Sequence, residues 1–246
     1  MNPIEQFELQ RIAPYFINGV DVSFTNSALY MLLAAAGAII LTLFTTSKRA
    51  LVPGRGQALA EVLYEFVANT VRQTAGKEGM RFFPFVFTLF TFILVSNLIG
   101  LVPYTFSLSS QIVVTFAFAA FVITLVVLYG LYRNGFGFLK LFVPHGVPAP
   151  VLVVLIPIEI ISFLSRPVSL SVRLFANILA GHITLAVFGG FVVMLLGAGA
   201  WAALAPIPIL AVVAMYALEL LVNCLQAFVF AVLTCVYLND AIHPGH

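Results

Sequence analysis

Apolar residues fill this chain in long blocks, and the few charged positions punctuate them. The first block, 22–47, carries no Asp, Glu, Lys or Arg and stops at Lys48 and Arg49. Its length suits one crossing, since about 20 apolar residues span a bilayer as a helix. From 56 to 81 the texture changes. Leu59, Val62, Leu63, Phe66 and Val67 recur at helical spacing, while Glu61, Glu65 and Arg72 fall on the other side. That pattern predicts an amphipathic helix lying along the membrane surface. The block 82–132 is again uncharged but too long for one crossing. Gly100, Pro103 and a serine-rich stretch interrupt it with turn signals, so it predicts a helical hairpin, 82–101 and 112–132. A Gly/Pro-rich loop follows, then two further apolar blocks at 151–196 and 206–238, separated by a Gly/Ala turn and by Pro206 and Pro208. Both are longer than an upright span needs, which a strongly tilted antiparallel pair accommodates. Pro157 and Pro167 are expected to bend the first of them.

Composition narrows the class. The chain has 246 residues, 62% hydrophobic and 8% charged, where soluble domains average about 25% charged; mean hydropathy is +1.12. The reading is an all-α membrane protein with about five transmembrane helices and one amphipathic surface helix, forming a single integral domain over 1–246. Cys224 and Cys235 stand about 16 Å apart on a helix, too far for a disulfide. They read as free thiols, and no CxxC-type metal spacing is present. No GxxxxGK[ST] loop occurs either, and nothing points to nucleic acid.

Charge placement sets the expected topology. Lys48, Arg49, Arg55, Arg72, Lys77, Arg81, Arg133 and Lys140 lie in just two connections. By the positive-inside rule those connections face the cytoplasm. The segment 1–21, with Glu5 and Glu8 ahead of Arg11, lacks the layout of a cleaved signal peptide and reads as a surface or amphipathic piece on the outside. The hairpin turn near Pro103 is then outside and the C-terminus inside. A bacterial inner membrane is expected, with the mitochondrial inner membrane as the alternative.

The chemistry concentrates in the last two blocks. An ionisable group at mid-membrane costs about 2.5–3.5 kcal/mol on insertion scales, so such groups mark function. Here Arg173, His182 and Glu219 are embedded, with Glu159 and Arg166 nearer one end; snorkelling accounts for Arg166. At about 100° per residue, Arg166, Ser169, Asn177 and Thr184 fall within about 40° of Arg173, and Glu159 returns to the same line about 21 Å away. His182 lies on roughly the opposite face, about 13.5 Å further along. On the last block Glu219, Asn223 and Gln226 share one face. An antiparallel alignment that sets Glu219 level with His182 brings Gln226 within about one turn of Arg173.

Two polar half-routes result. One runs from the outside through Glu219, His182, Asn223 and Asn177 towards mid-membrane. The other runs from Arg173 past Ser169 and Ser165 to Glu159 on the inside. His and Glu titrate in a usable range and suit proton hand-off. Arginine keeps its charge, so Arg173 between the half-routes is a fixed positive barrier against a direct leak. Such a device needs a moving carboxylate on another subunit.

At these residues the chain resembles subunit a of the F-type ATP synthases. PVSLSVRLFANILAGH, from Pro167 to His182, is similar to the family's signature around its essential arginine, which falls on Arg173. LQAFVFAVLTCVYL, from Leu225 to Leu238, resembles the C-terminal signature with its glutamine at Gln226, and NLIGLVPYTF, from Asn97 to Phe106, resembles the hairpin turn. The likeness covers essentially the whole chain. It implies that Arg173 faces the c-subunit ring and meets its carboxylate, and that Asn177 and Gln226 support the arginine and the inlet half-channel. It further implies that Glu159 and Ser169 lie on the exit side, and that His182 and Glu219 line the inlet. The acid and the imidazole are exchanged between the two helices relative to some bacterial members, as in the mitochondrial-type branch. The implied partners are the c-ring, peripheral-stalk b-type subunits, other ATP synthase subunits and the lipid bilayer. No cofactor or metal is implied, and ATP chemistry is left to partner subunits. The alternative from the residues alone is a self-contained proton-coupled secondary transporter, although no long internal repeat is evident; a third is a membrane scaffold without transport chemistry.

Overall fold

The computed structural model describes residues 9–17, 20–21, 23–46, 54–102, 105–143 and 149–243. Glu5, Glu8, Lys48, Arg49, Pro103 and the loop residues 144–148 lie outside them. Five helical stretches among the described residues are long and apolar enough to cross a membrane.

The described chain begins with short strands, which the sequence reading did not specify. Strand Arg11–Ala13 pairs antiparallel with Phe24–Thr25, and Phe16–Ile17 with Val20–Asp21. The described part of the N-terminal segment is thus a short, exposed β-structure. Its strands are two or three residues long, too short for a period-two pattern to register. Asn26 then starts α1 (Asn26–Thr46). Its main-chain N–H donates to the carbonyl of Gln10 at 3.0 Å, and its side chain accepts from the Gln10 N–H at 3.2 Å, so the helix start is tied to the strand before it.

Helix α2 (Arg55–Gly79) carries the amphipathic block, with two departures from expectation. Gly76 adopts φ 67° inside it, a conformation open to glycine but strained for side-chain-bearing residues, and this breaks the helical run just before Lys77 and Glu78. The apolar stripe is also divided. Val67, Val71 and Ala75 are buried, while Leu59 and Val62 are exposed. Helix α3 (Phe83–Gly100) begins with a proline in its first turn, where the missing N–H is not needed. Helix α4 (Ile112–Asn134) completes the hairpin, and the serine-rich connection between them tucks inward, with Phe106 to Ser110 all buried.

Helices α5 (Ala149–Leu196) and α6 (Pro206–Ile242) are 48 and 37 residues long. Pro157 and Pro167 sit inside α5, which continues as helix through both. Helix α6 is the hub: it packs against α2, α3, α4 and α5. The sequence shows why it can. Ala227, Ala231 and Cys235 recur every four residues and are all buried. Small side chains on one stripe let neighbouring backbones approach closely, which drives helix association where no hydrophobic effect separates helix from lipid. Phe230 and Leu238 on the same helix meet Val67, Val86, Phe90, Val122 and Val126 in the core. Cys224 is exposed and Cys235 buried, both as free thiols.

Candidate functional site

Two side-chain ties fix how α5 and α6 lie together. His182 Nε2 stands 3.7 Å from Glu219 Oε1, an electrostatic contact longer than a hydrogen bond. Further towards the N-terminus of α5, Arg166 Nη1 donates to Asp240 Oδ2 at 2.7 Å. Both need an antiparallel pair, the second tie standing five residues off the register of the first. Arg166 is held further by ring faces, its guanidinium 5.2 Å from the Phe163 centroid and 5.0 Å from that of Tyr237. It is therefore a paired residue rather than a snorkelling one.

Glu219 is buried, and so are Asn223 and Gln226 on the same face. Neither carboxylate oxygen of Glu219 accepts a hydrogen bond among the described residues, nor does Asn223 Oδ1. The space around Glu219 depends on the residue beside its imidazole neighbour. A Cβ built at Gly181 would stand 2.8 Å from Glu219 Oε1, closer than real Cβ contacts come. Below Glu219, α6 is pinned to the hairpin. Asn97 Nδ2 donates to the Asn223 carbonyl at 3.4 Å, and the Ser109 hydroxyl donates to Asn97 Oδ1 at 2.6 Å.

Arg173 is placed otherwise. It lies midway along α5, about 36 Å from either end of a helix about 72 Å long. Its side chain is exposed on the face away from the core, which α5 presents through Phe163, Leu170, Leu174 and Ile178. Ser169 is exposed beside it and Asn177 is half-buried. Arg173 makes no hydrogen bond or ion pair among the described residues; Tyr237 lies within electrostatic reach of it and of Arg166. Apart from Ser162, Ser165 and Ser169, the exposed residues on the preceding turns of α5 are apolar, among them Ile161, Leu164, Val168 and Val172.

The structure thus brings His182 and Glu219 together and places Asn223 one turn from Glu219. Among the described residues no hydrogen bond joins Arg173, which is exposed, to Gln226, which is buried. Glu159 is half-buried, and Ser165 spends its hydroxyl on the Ser162 carbonyl at 2.7 Å. No described contact links Glu159, Ser165 and Ser169 to one another. The sequence reading passed over Asp240, Tyr237, Asn97 and Ser109. Carried inward, the Glu219–His182 alignment sets Cys235 level with Arg166 and leaves Asp240 five residues beyond, so register alone does not find the pair. Asn97 stands as one polar residue in an apolar run. Among the described residues no three His, Cys, Asp or Glu side chains cluster as metal ligands would.

A family model described as ATP synthase A chain matches residues 28–239. The chain belongs to that family. The half-route residues and Gln226, from Glu159 to Gln226, lie within the matched span, and Asp240 falls one residue beyond it. Among relatives named ATP synthase subunit a, the protein of Chelativorans sp. (strain BNC1) is 59% identical over 246 residues, covering 100% of this chain and 99% of that one. The proteins of Mesorhizobium japonicum and Beijerinckia indica are each 58% identical over 247 residues, covering 100% of this chain and 98% of theirs. As a member of the ATP synthase A chain family with five apolar helices of spanning length, the chain is a membrane-embedded subunit with bacterial relatives.

Proposed function

We propose that this chain is the proton-translocating stator subunit of the ATP synthase membrane sector. In this reading it offers two half-routes that load and unload carboxylates on a rotating ring of c subunits. The observation that carries it is the position of Arg173. A permanent charge at the middle of a membrane helix, exposed on an apolar face, is costly if lipid covers it. The cost is removed if a neighbouring subunit covers that face and brings an acid to the arginine.

The two ties between α5 and α6 support separate half-routes on either side of Arg173. The outer one consists of Glu219, His182 and Asn223, with Asn177 leading towards mid-membrane. Glu219 and His182 exchange a proton with the outside and pass it to a ring carboxylate. The guanidinium of Arg173 keeps that carboxylate ionised until it has moved past, and repels a proton crossing directly. Ser169 and Glu159 flank the inner route, and Gln226 orients the site from α6. The chain itself performs no ATP chemistry, which belongs to partner subunits. Peripheral-stalk b-type subunits hold it still against the ring. The topology follows from the charged connections, with the N-terminus outside and the C-terminus in the cytoplasm of a bacterial inner membrane.

ATP-driven acidification of inverted membrane vesicles tests the reading, comparing native protein with Arg173→Ala after equal assembly is verified. Acidification lost only in the variant supports the rotary route. Acidification that persists removes Arg173 from the coupling and returns the secondary-transporter alternative.

A further inference from the structure

Where α2 ends, α3 begins and α4 ends, two cavities open side by side, close to the C-terminal end of α6, whose Ala241 carbonyl accepts from Asn134 Nδ2 at 2.7 Å. One, of about 490 Å³, is lined by Lys77, Glu78, Arg81, Tyr129, Tyr132 and Arg133. The other, of about 510 Å³, is lined by aromatic and aliphatic side chains, among them Phe85, Phe121, Leu125 and Leu128, with the hydroxyl of Thr124 the one further polar group besides the tyrosines. Tyr129 and Tyr132 line both, so the charged cavity continues into the apolar one.

The charged cavity is not balanced. It has three cations and one acid. That acid is engaged: Glu78 Oε2 is 2.5 Å from Arg133 Nη2, and Arg133 Nη1 also donates to the Tyr129 hydroxyl at 3.3 Å. Lys77 and Arg81 make no hydrogen bond or ion pair among the described residues, and both are exposed. Arg81 lies within electrostatic reach of Glu78 as well, so the one acid is shared and the lining keeps an excess of two positive charges.

The apolar cavity has the dimensions of half a bilayer. From Tyr132 to Phe121 along α4 is eleven residues, or about 16 Å, and one leaflet's hydrocarbon is about 15 Å deep. Its walls face outward, with Tyr132 89%, Leu128 63% and Phe121 57% exposed. Ring contacts hold its floor, Phe82 against Tyr129 at 4.6 Å and Phe85 against Phe121 at 6.1 Å. Tyrosines at a helix end, with cations beyond them and apolar side chains before them, mark the level of lipid headgroups.

We propose that the two cavities form one binding site for an anionic phospholipid. Its phosphate sits among Lys77, Arg81 and the paired Arg133, and an acyl chain lies along α4 from Leu128 to Phe121. A zwitterionic headgroup fits less well, because it brings a cation to a site whose only carboxylate is already taken. A soluble phosphate would satisfy the cations but leave the groove uncovered. Each cation near an anionic headgroup favours binding about fivefold. The site lies away from Arg173, His182 and Glu219, so its failure would leave the proton route untouched.

Photo-crosslinking of the intact ATP synthase complex in nanodiscs tests this. Phosphatidylcholine discs are doped with phosphatidylglycerol or phosphatidylcholine carrying a photoreactive acyl chain, and labelled peptides are mapped. The anionic probe should label the stretch from Phe121 to Tyr132 at least about fivefold more than the zwitterionic one. Lys77→Gln with Arg81→Gln should bring the two probes to parity, and added inorganic phosphate should leave the labelling unchanged. Equal labelling by both probes in native protein overturns the proposal, as does a preference that survives the double variant. Displacement by inorganic phosphate overturns it too, in favour of a soluble anion. If the double variant fails to assemble, the probe ratio in native protein alone decides.

Discussion

Glu219 fits beside α5 because residue 181 has no side chain: a Cβ there would stand 2.8 Å from Glu219 Oε1. The imidazole of His182, the next residue, is 3.7 Å from the same oxygen. Gly181→Ala should therefore push the carboxylate off the imidazole while leaving both titratable groups in the chain. ATP-driven acidification in vesicles should fall by about tenfold, a cost of about 1.4 kcal/mol, with assembly unchanged on a native gel. Full pumping by the alanine variant would show that the close approach has no part in transport.

The pairing of the two groups predicts that they can change places. His182→Glu combined with Glu219→His keeps one acid and one imidazole in the same gap. The double variant should pump better than either single replacement, by at least about fivefold. A double-mutant cycle on initial acidification rate measures this, and simple additivity would sink the direct pairing.

Arg173 should not tolerate lysine. The lysine ammonium lacks the planar fork and can lose its proton where an arginine cannot. On the exposed apolar face of α5 that difference matters most. Arg173→Lys should lower ATP-driven acidification by about tenfold or more, and near-normal pumping by the assembled variant would remove the fixed-barrier role.

The Arg166–Asp240 tie should prove structural. Both side chains are about three-quarters shielded, at 24% and 27% exposed, so their pairing is worth on the order of 1 kcal/mol. Asp240→Asn should lower the thermal dissociation midpoint of the solubilised complex while sparing proton selectivity. Arg166→Asp with Asp240→Arg should recover part of the loss. An unchanged midpoint in Asp240→Asn would mean that the ring contacts to Phe163 and Tyr237 alone hold the arginine.

Asn97 bridges the serine-rich turn and α6, accepting from Ser109 and donating to the Asn223 carbonyl. Asn97→Leu leaves the buried Ser109 hydroxyl without its acceptor, at a cost of about 1–3 kcal/mol. The complex should lose thermal stability accordingly. Asn97→Asp keeps the acceptor and should retain more of it than leucine; equal losses would argue that the amide matters only by its size.

The class of fold was legible because a bilayer leaves few options: uncharged blocks of spanning length must be helices, since their backbone groups find partners only within themselves. The His182–Glu219 approach was legible for a related reason, because few ionisable groups occur there and one antiparallel register joins them. What escaped was local or depended on other elements. Gly76 reads as an ordinary helical glycine until its φ of 67° is seen. The N-terminal strands are held by hydrogen bonds across the chain rather than by a pattern along it. Asn97 meets Asn223 across 126 positions, a distance no window of sequence covers. The Arg173–Gln226 expectation concerned level along the helix pair, and among the described residues no hydrogen bond joins the two side chains, one exposed and one buried.

The length of α5 has a consequence for direction. A helix of about 72 Å cannot stand upright in hydrocarbon about 30 Å thick. Moving along it therefore means moving sideways in the plane of the membrane as well as through it. If the groups around Glu219 and those around Glu159 serve opposite faces, they are separated laterally too. A carrier visiting both must be transported edgewise past Arg173. The inclination of one helix would then convert a difference in proton potential across the membrane into a push along it.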